Sequence, residues 1–271
     1  MNGELVQCIA IAAHGNYVLH KGVFAYPELS ITNSTFKYVS SVTFSRYRDE
    51  NQRRGTPVAS TVTDWFKYLH SVGVKRLWNI AFKWERQDFT EYQAAAFVGG
   101  AARAIQTNLP KGFEVWYPAW TAGNTPDKPW SVEYRGLMSA HSHAVTVSDL
   151  AGAKMKLRKA ITRAEGFAKS PKTKAADWAE GFARALKLLD SPTPVPPVHA
   201  DMLPAEGYSL EARQILAAAT QAHVFGGMGS WNDMGFRDDK LQSEYHSVSR
   251  ELYEAIKLAT VMAPNAFYLA G

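Results

Sequence analysis

The stretch Gln221-Ala222-His223-Val224-Phe225-Gly226-Gly227-Met228-Gly229-Ser230-Trp231-Asn232-Asp233-Met234-Gly235-Phe236 constrains this chain more than any other. A helical pattern of Leu210, Ile215, Ala218 and Ala222 runs into three glycines within four residues. Glycine costs roughly 1 kcal/mol against alanine inside a helix, so Gly226-Gly227 predicts a helix end. Asn232 and Asp233 then turn the chain or cap the next helix. Beyond them Leu241, Tyr245, Val248, Leu252, Ile256 and Ala259 recur at steps of 4, 3, 4, 4 and 3, the period of an amphipathic helix. The stretch reads as a tight elbow joining two long helices. Trp231 is expected to be a buried corner filler, with a partner-facing anchor as the alternative.

Nucleotide and acyl-transfer templates fail at this elbow. The phosphate-binding loop needs Gly-Lys-Ser/Thr, which is missing. The dinucleotide fingerprint would follow Gly227-x-Gly229 with a third glycine where Asn232 stands. A nucleophile elbow on Ser230 needs glycines where Met228 and Asn232 stand.

The segment Val224 to Asp233, followed by the Tyr245–Ala259 helix, resembles the C-terminal part of immunity proteins from bacterial polymorphic toxin systems. The nearest group accompanies restriction-endonuclease-like toxins, some delivered by type VI secretion. The likeness covers roughly the last 60 residues. It implies a cytoplasmic protein that is not an enzyme, carries no cofactor, and binds one cognate toxin, such as a nuclease effector, to block its active surface. Inhibitors of nucleases are often acidic, and this chain is basic. The candidate toxin-facing residues are Trp231, Asp233, Asp238, Asp239 and Glu244.

The net charge of +5 is unevenly spread: residues 151–174 hold eight basic side chains against one acid, and residues 200–271 hold nine acids against five bases. One basic and one acidic region are therefore expected on the surface, the acidic one including Glu251. Fast association favours complementary charge, so the acidic one suits the basic cleft of a nuclease. The single cysteine, Cys8, lies in an apolar run and excludes an internal disulfide or a multi-cysteine metal site. No signal peptide is legible, and no stretch approaches the ~20 apolar residues of a membrane helix. The expected partners include no membrane and no nucleic acid.

The expected fold is α/β or α+β: a mixed sheet with helices in residues 1–145, and a helical region over 146–271 packed with it as one compact unit. At 271 residues the chain can bury a large core. Apolar runs at 4–12 and 16–24, broken at His14-Gly15-Asn16, read as a hairpin. Residues 35–46 read as a strand and 47–56 as an exposed loop. Pro57 opens a helix through Ser71, Arg76–Trp84 is a strand, and Thr90–Asn108 is a second helix weakened at Gly99-Gly100. Phe113–Trp116 and Ser131–Ala140 are strands, separated by an irregular loop at 117–130. From Ser148, as N-cap, the pattern turns helical. Five prolines make 191–208 a stiff extended crossing.

Two other constellations hold residue types suited to chemistry. His141-x-His143 points one way on a strand and suits a metal pair. Its third ligand is undefined, with His199, Asp201 and His223 candidates by type alone, so no bound metal is expected. Arg46, Arg48, Arg53 and Arg54 with Phe44, Tyr38 and Tyr47 suit nucleic-acid contact, but no recognisable module surrounds them and a solvated basic loop is the expectation. The rival function is an α/β enzyme with a site near His141, His143 and the tryptophan-rich 116–130 loop.

Overall fold

The structure, a computed structural model, describes all residues except 31, 86–87, 99, 101, 111, 124, 145–146, 148 and 269–271, and the side chains of 27, 97 and 98. A six-stranded mixed sheet forms from β1 (Val39–Tyr47), β2 (Thr56–Ala59), β3 (Leu77–Ala81), β4 (Arg103–Leu109), β5 (Gly112–Ala122) and β6 (Trp130–Ser139), in the order β2-β1-β6-β5-β4-β3. Only β1 and β6 pair in parallel. Helices α1 (Gly3–Lys21), α2 (Val62–Ser71) and α3 (Glu91–Val98) belong to the N-terminal half. Helices α4 (Leu150–Lys169), α5 (Ala176–Leu188), α6 (Leu210–Gln221) and α7 (Asp239–Asn265) complete the chain. The fold is thus α/β with a helical C-terminal half.

Helix α1 replaces the hairpin expected at its place, and its burial explains the misreading. Residues from Leu5 to Asn16 are buried on every side, so no polar stripe marks a helical period. Leu5, Val6 and Ile9 pack with α4, α5, α6 and α7, while Cys8, Ile11, Val18 and Leu19 pack towards α2 and the sheet. Gly15 permits this, since a β-carbon there would lie 2.3 Å from Leu77 and 2.7 Å from Phe66. His14 and Asn16, which read as turn residues, are buried polar groups with partners.

Asn16 serves the sheet edge. Its amide accepts from the Leu77 N–H (2.7 Å) and donates to the Leu77 carbonyl (3.0 Å). Asn265, at the end of α7, does the same for Asn79, at 2.8 and 2.9 Å. Two side-chain amides thereby take the place of a seventh strand along β3 and close an edge that would otherwise recruit another chain.

Other expectations need correction. Pro57 lies in β2, and the following helix starts at Val62 behind a Thr61 cap. The helix expected through Asn108 ends at Val98; β4 then begins at Arg103, and its buried Ala104 and Ile105 face opposite sides of the sheet. Residues 117–122 continue β5 and are no loop. Ser148 and Gly99 fall outside the described residues; the side chain that caps α4 is Asp149, accepting from Gly152 at 2.6 Å. Among the described residues, no helix is long and apolar enough to cross a membrane.

Candidate functional site

The elbow after α6 is knitted from its own side chains. Gly226 donates its N–H to Asn232 Oδ1 (3.1 Å), and Ser230 Oγ donates back to the Gly226 carbonyl (2.9 Å). Gly229, at φ 81°, donates its N–H to Asp233 Oδ2; a side chain would be strained in that conformation. Ser230 also caps a short 3₁₀ turn, Trp231–Asp233. Underneath, Asn232 Nδ2 donates to the Tyr92 carbonyl (2.6 Å) and ties the loop to α3.

Trp231 is fully buried. Its ring meets Phe167 of α4, Trp178 and Phe182 of α5 and Tyr245 of α7, with centroids 5.4–6.0 Å apart. Its Nε1–H donates to Ser249 Oγ (2.8 Å), and its carbonyl accepts from the Tyr245 hydroxyl (2.6 Å). The ring fastens α7 to α4 and α5, so it presents no surface to a partner. What the elbow does present is Met228. It stands at the tip between Gly227 and Gly229 with 102% relative exposure.

Asp233, Asp238, Asp239 and Glu244 are all exposed. Two of them hold local structure: Asp233 receives Gly229, and Asp238 caps α7 by accepting from Leu241 (2.8 Å). Among the described residues none of the four enters an ion pair, while Arg237 and Lys240 stand exposed between them. The expected division into an acidic and a basic region does not hold as drawn. Helix α4 packs beside α7, and Arg163 (2.6 Å) and Lys159 (3.8 Å) both pair with Glu251. Arg158 pairs with Asp190 and Lys169 with Glu165. The outer faces of α4 and α7 instead flank a polar groove of about 580 Å³, lined by both signs of charge.

The structure does not bring the rival enzyme site together. His141 and His143 follow the Phe113–Ser139 end of the β5–β6 ladder, and Trp120 packs on Trp130 near the Ala122–Trp130 end. The His143 ring lies over Phe82, and its backbone N–H donates to Gln106 Oε1 (2.7 Å). Among the described residues no three or more His, Cys, Asp or Glu side chains gather as metal ligands. Cys8 is buried, and burial pushes its thiol well above the usual range. Arg46, expected beside a solvated basic loop, lies in β1 and grips the buried Glu114 through two bonds of 2.6 and 3.1 Å.

One serine, histidine and aspartate do meet, and their order argues against acyl transfer. Ser34 Oγ donates to Asp201 Oδ1, and His199 Nδ1 lies 2.9 Å from that Oγ. With its proton committed to Asp201, Ser34 Oγ accepts from His199, so the imidazole cannot serve as its base. Sequence spacing gave no hint of this cluster, since Asp201 lies 167 residues from Ser34. Its other bonds explain its role: the Asp201 carboxylate also accepts from the Ser34 N–H (2.7 Å), and the Asp201 carbonyl accepts from His14 (2.9 Å) and Asn33 (3.0 Å). The cluster pins the proline-rich crossing to α1 and to the 3₁₀ turn Ser34–Phe36.

No family model, curated protein or solved structure matches the chain.

Proposed function

We propose that the chain is a cytoplasmic immunity protein that binds a cognate bacterial toxin, a nuclease effector of the type VI secretion class, and blocks its active surface with the elbow face. The observation that carries this reading is the elbow itself: a loop fixed by its own hydrogen bonds that holds Met228 fully exposed at its tip, beside four exposed carboxylates outside any described ion pair. A loop ordered before binding loses little entropy on docking. Methionine is enriched at protein interfaces and adapts to the pocket it enters. Carboxylates at Asp239 and Glu244 suit a basic, phosphate-binding cleft and speed encounter with it.

The test is co-expression with the product of the neighbouring gene, followed by a toxicity-rescue assay. Restored growth and a 1:1 complex on size exclusion are expected, with both lost in Met228→Asp. A toxin that kills equally with and without this chain, and elutes apart from it, would overturn the proposal.

A further inference from the structure

Directly beneath Gly226 and Gly227 lies a cavity of about 370 Å³, walled by Leu5 of α1, Ala96 of α3, Phe225 and Ile256 of α7. Arg103, the first residue of β4, lines it and is only 7% exposed. Its backbone N–H donates to Glu4 Oε1 (2.8 Å), but its guanidinium makes no ion pair among the described residues and Nη1 is buried without a hydrogen-bond partner. The neighbouring cation differs: Lys257 donates to Glu91 (2.7 Å) and to the Phe82 carbonyl (3.1 Å). Burial pushes Arg103 below the usual guanidinium pKa, yet so basic a group stays charged. Glu91 and Glu4 draw this cation without an ion pair or hydrogen bond to the guanidinium among the described residues. A buried cation without a direct partner is costly for a fold to carry. On the same cavity, His223 Nδ1 is also buried and unpartnered. A rigid fork of donors and an unused imidazole nitrogen thus line a space of the size that small ligands occupy, with Met1, Asn2 and Lys257 also on its wall and Leu5, Phe225 and Ile256 forming its apolar part.

We propose that this cavity binds a small organic anion, a carboxylate or phosphate monoester with an aromatic or branched aliphatic body, whose acid group pairs with Arg103 and His223. The acid oxygens take the guanidinium N–H groups side by side, and the apolar body lies against Leu5, Phe225 and Ile256. This inference stands independently of toxin binding, and its test uses the protein alone.

Thermal melts and isothermal titration would be run with benzoate, phenyl phosphate, inorganic phosphate and, as a cationic control, benzylamine. At least one aromatic anion should bind 1:1 and raise Tm saturably, by about 5 °C near 100 times its Kd. The stronger of benzoate and phenyl phosphate identifies the acid group. Arg103→Met should abolish the response, and Ala96→Phe, which fills the cavity without touching the charge, should abolish it too. If Arg103→Met fails to fold, Ala96→Phe decides. The proposal is overturned if neither aromatic anion acts on wild type, which would leave a cavity holding only water. It is equally overturned if the response survives in Ala96→Phe, or if inorganic phosphate or benzylamine does as well as the aromatic anions.

Discussion

The elbow after α6 and the proline-rich crossing before it differ in where their hydrogen-bond partners come from. In the elbow, Gly226, Gly229, Ser230, Asn232 and Asp233 bond one another within six residues, while Trp231 and Asn232 reach down into the body of the protein. In the crossing, Asp201 bonds residues 167, 168 and 187 positions away, and Tyr208 donates to the Pro264 carbonyl (2.9 Å) of α7. Closing a short loop costs little entropy, so the elbow's shape is local. The crossing takes its shape only once α1, the Ser34–Phe36 turn and α7 are docked. A surface that must stay fixed for a partner is better built in the first way.

Removing the elbow's anchor should have the largest effect. Trp231→Ala deletes a fully buried ring that four aromatic neighbours touch, and should cost about 3–5 kcal/mol in chemical denaturation. A loss under about 1 kcal/mol would mean that the ring is not the corner filler described.

The next contrast sets Asn232→Ala against Asp201→Ala. Each leaves buried or half-buried backbone groups without partners, for about 1–3 kcal/mol. The distinction lies in hydrogen exchange. Asn232→Ala should raise exchange only around 224–236, whereas Asp201→Ala should release both the crossing and the distant 33–36 turn. Equal spread of the two patterns would break the local-against-distant comparison.

These two segments also mark what the sequence could and could not convey. The elbow was legible because its signals are adjacent: glycines to stop a helix, Asn and Asp to turn, a clean helical period afterwards. The sheet and its position before the helical half were legible for the same reason. Helix α1 was not, since uniform burial erases the polar stripe that separates a helix from apolar strands, and the reasons for Gly15 and Asn16 lie at Phe66 and Leu77. The Ser34–His199–Asp201 contact and the orphaned Arg103 could not be seen either, because both depend on residues brought together across the chain. The pairing of Arg163 and Lys159 with Glu251 likewise turned two expected charged regions into one mixed face.

Acid should separate the segments a third way. Burial, partly opposed by the Asp201 carbonyl, holds His14 below its usual 6.5, and burial lowers His199 as well. The folded state therefore binds fewer protons than the unfolded state below about pH 6.5. Stability from these neutral imidazoles is complete above that pH and is lost as pH falls through and below it. His223, lowered to about 3 chiefly by burial, extends the same loss further into acid. Tm should fall as pH drops from 6.5 towards 4, with exchange protection lost first at 199–202 and 33–36. His14→Gln should flatten the slope. A profile that is as steep in that variant would move the acid-sensitive step elsewhere.

The smallest effect on stability is expected at the tip. Met228 has no contacts to lose, so Met228→Asp should stay within about ±0.5 kcal/mol of wild type, and the bonds among Gly226, Ser230, Asn232 and Asp233 should hold the loop in place. Its effect on binding should run the other way. A carboxylate in place of an apolar tip must be desolvated to enter a partner's pocket, so the complex should dissociate faster while the folded protein is unchanged. Glu244→Lys tests the other half of the surface without disturbing a cap, which Asp238 substitutions would do. It should slow association at low salt and lose that difference as salt rises. Association and dissociation rates at two salt concentrations separate the two roles. If Met228→Asp binds with wild-type rates, the tip is not a contact, and the exposed methionine has no part in the proposed interface.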